Sequence, residues 1–281
     1  MTSPEIERWT AFSADPAGGN PAGVVLDARG LTDADLQRIA AEVGYAETAF
    51  VTPGDGDPAI RYFSPDAEVP FCGHATVATA LAIAERTGDG TIRFATPVGV
   101  VPITTATVDG ARSATFTSVE PSVEALPEPA LDAVLAVLGL GREDLDPAFP
   151  PRLAFAGNRH PVIVVADLDR FDGLAIDGRG ARALMDANDW RGSISVLHRA
   201  AGEDGRWHAR NVFPVGTMLE DPATGSAAAA FGGYLRALGI VAPPARVVIE
   251  QGRHVGRPGR LTVDIPESGG IAVSGRGARI A

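Results

Sequence analysis

The chain has 281 residues, of which 45% are apolar and 21% charged, a balance typical of a folded globular protein. Its net charge of −11 gives no favourable long-range attraction to nucleic acid or to an anionic membrane surface, so we expect neither as a partner. No apolar run reaches the roughly 20 residues that span a bilayer, and the N-terminal segment "MTSPEIERWT" lacks the apolar core of a signal peptide.

The basic residues and the single cysteine exclude several classes of enzyme. All 24 basic residues are arginines, which excludes Schiff-base enzymes and the phosphate-binding lysine of a P-loop. The sequence contains no GxGxxG, HExxH or CxxC motif, and its five histidines do not have metal-ligand spacing. A single cysteine, Cys72, is typical of a protein from a reducing cytoplasm. We therefore expect a cytoplasmic enzyme without cofactor or metal, or else a binding protein.

In chain order, the first half alternates predicted strands and helices. The run "AGVVLDA" predicts a strand, and "TDADLQRIAAEVG" predicts a helix that begins after Thr32 and ends at Gly44. The runs "ETAFVTP" and "AIRYFSP" predict strands that end at proline. The run "HATVATALAIAERTG" predicts a helix that ends at Gly88.

The second half repeats much of this order. The segment "AGNRHPVIVVADL" is similar to "GGNPAGVVLDA", and "DPATGSAAAAFGGYL" is similar to "FCGHATVATAL". One offset of 150 residues relates Phe63 to Phe213 and Thr76 to Ser226, which indicates a duplication, although Ala-rich helices can also match by chance. The acidic, Pro-rich stretch 118–130 has the composition of a linker. We therefore predict an N-terminal lobe of residues 1–120 and a C-terminal lobe of residues 121–281.

Both repeated helices are apolar nearly all round, over Ala75–Ala84 and Ala227–Leu235. A helix without a polar face is normally buried on all sides, and a curled sheet is the natural container in a lobe of short strands. Each helix begins at a polar turn, "CGHAT" or "DPATGS". The first N–H groups of a helix lack partners within it, so two such ends facing each other across a cleft would bind a substrate carboxylate.

Several of these segments together resemble the PhzF-like phenazine biosynthesis proteins, which have the diaminopimelate epimerase fold. The similarity extends over nearly the whole chain and includes "FSADPAGGNPAGVVLD", "YAETAFV", "RYFSPDAEVPFCGHATVATA", "EDPATGSAAAA" and "EQGRHVGRPGRLTV". It implies an α+β fold of two similar lobes, each a barrel-like, mostly antiparallel sheet around a central buried helix. It also implies cofactor-independent isomerisation, an active site between the lobes, and a homodimer.

The resemblance assigns catalytic roles to Glu47, His74, Asp221 and Ser226. Each also has an ordinary structural reading: Glu47 would pair with an arginine, and the other three would cap helices or turns. Substrate contacts are expected from Gly73, Gly225, Thr224 and Asn20, and Tyr45 and Arg61 are further residues that could shape the pocket.

Cys72 bears on the type of reaction. Racemases of this fold use two thiols, one on each face of the substrate carbon. The 150-residue offset places Pro222 where the second thiol would be, which excludes a two-thiol mechanism and favours a structural, buried Cys72.

With one carboxylate base, the simplest reaction returns the proton to the face from which it was removed. We hypothesise that Glu47 moves a proton between carbons of a small unsaturated acid, as the resemblance implies for dihydro-hydroxyanthranilate. The alternatives are an epimerase, lyase or carbon–carbon-cleaving enzyme of the same fold, or a non-catalytic protein that binds small acids. A dinucleotide oxidoreductase fits less well, because the Gly-rich fingerprint is missing.

Overall fold

The computed structural model describes residues 4–108, 110–216 and 218–281. The chain forms two compact units, one of Met1–Thr117 with Ser274–Ala281 and the other of Ser118–Val273. Residues 274–281, predicted as part of the C-terminal lobe 121–281, belong to the first unit, where the last strand pairs with the first one. None of the helices in the described ranges is both long and apolar enough to cross a membrane.

The strands are β1 (Glu7–Ala11), β2 (Asn20–Val25), β3 (Thr48–Thr52), β4 (Ala59–Phe63), β5 (Glu68–Val69), β6 (Thr91–Thr96), β7 (Gly99–Val108), β8 (Ala111–Thr117), β9 (Ser122–Ala125), β10 (Arg152–Phe155), β11 (Arg159–Val164), β12 (Ile194–Arg199), β13 (Arg206–Val215), β14 (Met218–Asp221), β15 (Ala245–Gln251), β16 (Gly259–Ile265) and β17 (Ala272–Ile280). The helices are α1 (Asp33–Val43), α2 (Gly73–Thr87), α3 (Glu128–Leu138), α4 (Leu168–Asp172), α5 (Gly178–Ala187) and α6 (Gly225–Ala237). Single 3-10 turns lie at Arg142–Asp144 and Arg253–Val255.

The first unit contains a closed barrel of eight strands. Around the ring the order is β1, β2, β3, β4, β6, β7, β8 and β17, and β17 pairs back onto β1. The β2–β3 and β4–β6 pairs are parallel, and the other pairs with a defined register are antiparallel. Closure removes the two free edges that an open sheet would expose.

The second unit repeats this ladder pattern. From β10 through β11, β12, β13 and β15 to β16, the pairs are antiparallel, parallel, antiparallel, parallel and antiparallel. The run from β1 to β7 through β2, β3, β4 and β6 has the same sequence of pairings. Matching topology agrees with the duplication inferred from the sequence, and the prediction of two similar α+β lobes is confirmed.

Each sheet wraps around one Ala-rich helix. In the first unit α2 packs against β1, β2, β3, β7 and β8, and in the second α6 packs against β9, β10, β11 and β16. Every residue of α2 from His74 to Ala82 is buried, as is every residue of α6 from Ala227 to Leu235. Small side chains on all faces allow the strands to approach the helix closely, so the prediction that both helices are buried is confirmed.

Most of the elements predicted for the first half are present. Helix α1 begins at a capping box, in which the Thr32 hydroxyl accepts from the Asp35 N–H and the Asp35 carboxylate accepts from the Thr32 N–H. It ends at Gly44 with a φ of 72°, a left-handed conformation that favours glycine. Helix α2 ends at Gly88, as predicted.

The prediction that 118–130 is a linker is wrong. Strand β9 lies within it and pairs antiparallel with β10, and α3 begins at Glu128. The prolines do not prevent this, because Pro121 precedes the strand, Pro127 is the N-cap of α3 and Pro129 lies in its first turn. At these positions a missing N–H breaks no ladder or helix bond.

The packing around α2 predicts a stability effect. Ala78 is fully buried inside the barrel, so Ala78→Leu should lower the free energy of unfolding by about 1–3 kcal/mol through overpacking. Ala41→Leu, which places the same side chain on the exposed face of α1, serves as the control. Thermal denaturation of both variants measures the difference, and equal melting temperatures would contradict the close packing of α2.

Candidate functional site

The first cluster of predicted site residues lies in the first unit, where β3 and α2 begin. Glu47 directly precedes β3, and its main-chain carbonyl accepts from the Gly23 N–H of β2 at 3.2 Å. His74 lies in the first turn of α2, and its Nε2 is 3.4 Å from Glu47 Oε2. The His74 side chain is 9% exposed and that of Glu47 18% exposed, so both are largely shielded while the carboxylate keeps some access to solvent.

Burial determines the charge of His74. Desolvation lowers the pKa of its imidazole to about 4, although a hydrogen bond to the Pro21 main chain opposes this change. His74 is therefore neutral near pH 7, so one ring nitrogen carries a proton and the other offers a lone pair. The Pro21 contact also connects β2 to the tip of α2.

Cys72 occupies the N-cap position of α2. Its Sγ is 3.4 Å from His74 Nδ1, and the residue is 7% exposed, in agreement with the predicted buried cysteine. Its carbonyl accepts from the Thr76 hydroxyl at 2.6 Å, and the Thr76 hydroxyl also bonds to the Tyr62 hydroxyl at 2.7 Å. The tip of α2 is thereby fixed to β4.

The second cluster lies in the second unit, in the turn between β14 and α6. Asp221 ends β14, and its Oδ2 accepts a 2.5 Å hydrogen bond from the Thr224 hydroxyl. The Gln251 side chain donates to the Asp221 carbonyl at 2.6 Å and to Thr224 Oγ1 at 3.0 Å, and accepts from the Thr224 N–H at 3.1 Å. One buried amide at the end of β15 therefore holds the whole turn.

Gly252 allows the end of β15 to approach this turn. Its φ is +89°, and a Cβ atom there would lie 2.5 Å from the Pro222 carbonyl oxygen and 2.3 Å from that of Arg257. Only glycine adopts this conformation without strain and leaves room for both carbonyls. The glycine thereby lets the Gln251 side chain reach the turn.

Ser226 contacts a histidine that the sequence analysis did not identify. The N-cap of α6 is Thr224, not Ser226, and the Ser226 hydroxyl lies 3.1 Å from His160 Nε2. His160 is fully buried on β11, and desolvation lowers its pKa to about 4. Its Nδ1 is 3.0 Å from the Ser193 main-chain nitrogen and 3.0 Å from the Ser193 carbonyl oxygen.

The contacts of His160 continue into a buried polar network. The hydroxyls of Ser193 and Ser195 both donate to Asn211 Oδ1, at 2.7 and 2.6 Å. Because Nδ1 lies 3.0 Å from both the N–H and the carbonyl of Ser193, its partner decides the tautomer of His160. If Nδ1 accepts from the N–H, Nε2 donates to Ser226 Oγ, whose own hydrogen is then directed to a ligand; if Nδ1 donates to the carbonyl, Nε2 accepts from Ser226. The only sequence signal for His160 was its place in "AGNRHPVIVV", the repeat of the β2 segment.

The remaining predicted residues have simpler positions. Gly73 and Gly225 are the first residues of α2 and α6, and Asn20 is the buried first residue of β2. Within the described residues, neither the Cys72 nor the Thr224 side chain caps the N–H groups of its helix. Both helix tips therefore keep the partial positive charge that favours an anion.

Arg61 has a structural role on the surface of the first unit. Its guanidinium donates to Glu68 and to Asp33 at 2.7 Å each and lies over the Phe63 ring. These pairs connect β4 to β5 and to α1. The other residue suggested for the pocket, Tyr45, is half-buried in the turn after α1.

Comparison with known proteins finds a matching family model, similar isomerases and a similar crystal structure. The family model described as "Phenazine biosynthesis-like protein" matches residues 9–280. A trans-2,3-dihydro-3-hydroxyanthranilate isomerase of Pseudomonas aeruginosa is 32% identical, over 96% of this chain and 95% of the relative. An uncharacterized isomerase of Mesorhizobium japonicum is 34% identical, over 95% of this chain and 92% of the relative. The crystal structure of a PhzF-family phenazine biosynthesis protein of Bacillus anthracis has a TM-score of 0.89 and 28% identity, covering 100% of this chain and 98% of that one.

The burial of His160 predicts a pH-dependent stability. Its pKa falls from 6.5 to about 4 on folding, so between these values the unfolded state binds more protons than the folded state. Burial of His160 therefore leaves the free energy of unfolding unaffected above pH 6.5. As the pH falls toward 4, it lowers the free energy of unfolding by about 3 kcal/mol in total. His160→Asn should therefore show a weaker pH dependence than the wild type in urea denaturation at about pH 7 and about pH 4.5. The same loss of stability in both proteins would contradict this assignment.

Proposed function

Because the chain belongs to the phenazine biosynthesis-like protein family, we propose that it is an isomerase that moves a proton between carbons of a small unsaturated carboxylic or amino acid. The observation that carries the proposal is the contact between the Glu47 carboxylate and the neutral His74 ring at the tip of α2. A carboxylate that is mostly shielded from water, beside a neutral imidazole, is suited to take up and return a proton.

In this mechanism Glu47 removes a proton from a carbon that a conjugated carboxylate makes acidic, and delivers it to another carbon of the same π system. His74 orients the carboxylate and can hydrogen-bond the substrate, because its neutral ring has both a donor and an acceptor. One base suffices because the proton returns to the same face. The proline at position 222, where a second thiol would be needed, argues against two-base epimerisation.

The second cluster supplies binding groups in the proposal. The Ser226 hydroxyl and the main-chain N–H of Gly225 would hold the substrate carboxylate at the tip of α6. Gly73, at the tip of α2, is proposed as a substrate contact in the first unit. Asp221, oriented by Thr224, would accept from a substrate amino or hydroxyl group. Asn20 is a further proposed contact. That both clusters act on one substrate, in a cleft between the lobes, stays a prediction.

The P. aeruginosa relative guides the choice of substrate. Its name specifies trans-2,3-dihydro-3-hydroxyanthranilate, an unsaturated amino acid of the kind that the proposed chemistry requires. We propose this class of substrate for the present protein and extend the proposal to a cofactor-independent, cytoplasmic homodimer. A chain of net charge −11 without GxGxxG motif supports a small-molecule substrate rather than a nucleic acid or dinucleotide.

Glu47→Gln tests the proton carrier. The amide keeps the shape of the side chain but cannot carry the proton, so turnover of trans-2,3-dihydro-3-hydroxyanthranilate should fall about 10²- to 10⁴-fold, as should deuterium uptake from heavy water. Glu42→Gln, on the exposed end of α1, makes the same change away from the cluster and should leave both rates unaltered. Undiminished turnover by Glu47→Gln would remove this residue from the role.

Ser226→Ala tests carboxylate binding at the tip of α6. A hydrogen bond to a charged group contributes about 1.5–3 kcal/mol, so KM should rise roughly 10- to 100-fold while kcat changes less. Ser268→Ala, in an exposed turn, is the matched control. An unchanged KM, or a fall in kcat alone, would show that Ser226 does not hold the carboxylate.

A further inference from the structure

Three side chains at the tip of α2 bring a thiol, an imidazole and a carboxylate to one place. One ligand atom from each of Glu47, Cys72 and His74 lies within 4.8 Å of the others. Sulfur, nitrogen and oxygen donors of this kind are the ligands that Zn²⁺ takes in proteins. The sequence spacing gave no sign of this group, because Glu47 lies far upstream of the Cys-x-His segment.

The two distances from His74 Nε2 to the other ligand atoms are close to those of a tetrahedral zinc site. His74 Nε2 is 3.8 Å from Cys72 Sγ and 3.4 Å from Glu47 Oε2. Zinc bonds of about 2.0–2.3 Å place neighbouring ligand atoms roughly 3.3–3.8 Å apart in a tetrahedron. Cys72 Sγ lies nearer to His74 Nδ1, at 3.4 Å, so its side chain would have to turn toward Nε2 for one ion to take all three ligands.

The surroundings hold these ligands in position. His74 hydrogen-bonds the Pro21 main chain, a contact of the kind that orients an imidazole ligand. Cys72 and His74 lie on a helix tip fixed by the Thr76 and Tyr62 hydroxyls. The Glu47 side chain, 18% exposed, provides contact with solvent.

We propose that Glu47, Cys72 and His74 form a binding site for a soft divalent cation such as Zn²⁺, and that occupation of this site inhibits the enzyme. The metal would replace the Cys72 thiol proton, which is released to solvent as the sulfur–metal bond forms. Three protein ligands leave a fourth position for water or an anion. Mg²⁺, which prefers oxygen ligands in octahedral geometry, should not bind there.

The inhibition rests on the proposed function, because it follows from the role of Glu47 as proton carrier. A carboxylate bound to zinc cannot take up the substrate proton, so Zn²⁺ should stop turnover and a chelator should restore it. Metal binding itself depends only on the geometry of the three side chains. The two parts can therefore be tested separately.

Metal binding is measured by titration of the reduced, metal-free protein with Co²⁺ and Zn²⁺. Co²⁺ should give a sulfur-to-metal charge-transfer absorption at one equivalent, which Zn²⁺ then abolishes by displacing it. The absorption should vanish in Cys72→Ser and Cys72→Ala, with Zn²⁺ affinity lowered about 100-fold or more, since loss of a ligand exceeds the 10- to 100-fold effect of an outer-shell change. His254→Asn removes a histidine of the second unit and should keep the wild-type spectrum.

Turnover assays with added Zn²⁺ complete the test. Inhibition at one equivalent, reversed by chelator and weakened about 100-fold in Cys72→Ser, supports the proposal. Absence of the cobalt–thiolate absorption, or its persistence in Cys72→Ser, would overturn the metal site and leave the role of Glu47 untouched. Stoichiometric binding without inhibition would overturn the inhibitory part, and would count against Glu47 as the proton carrier.

Discussion

The enclosure of a helix by a curled sheet is the constraint on which the remaining structure depends. The closed ring of eight strands in the first unit leaves room only for a narrow helix, and half of the buried residues of α2 are alanine. Backbone hydrogen bonds within the helix satisfy its polar groups, and its tip is the place where N–H groups lack such partners. Chemistry in each unit is therefore concentrated at the tip of the buried helix.

The two units carry different residues at the tips of their buried helices. At related positions, Thr76 hydrogen-bonds Tyr62 and serves to anchor α2, whereas Ser226 contacts the buried His160. Cys72 likewise corresponds to Pro222 in the second half. One unit thus presents a carboxylate, a thiol and an imidazole, and the other a hydroxyl and a carboxylate. Duplication preserved the scaffold, while the residues at the helix tips diverged.

Both helix tips use a histidine that burial keeps neutral. Desolvation lowers the pKa of His74 and of His160 to about 4, so neither contributes a positive charge near pH 7. Each ring instead acts through directed hydrogen bonds, His74 toward Glu47 and Pro21, and His160 toward Ser226 and Ser193. Because both rings are neutral, they add no charge to the helix N-termini, whose N–H groups carry the partial positive charge that favours an anion.

The sequence by itself determined the elements whose signals are local: the capped helix α1, the proline-ended strands and the two alanine-rich helices. The motif resemblance added the family and the residues Glu47, His74, Asp221 and Ser226. Only the tertiary structure decided the partners, because hydrogen bonds such as Ser226–His160 and Thr224–Gln251 join strands and turns far apart in the chain. The tertiary structure also showed that the predicted linker contains strand β9, because strand pairing depends on a distant neighbour rather than on local composition.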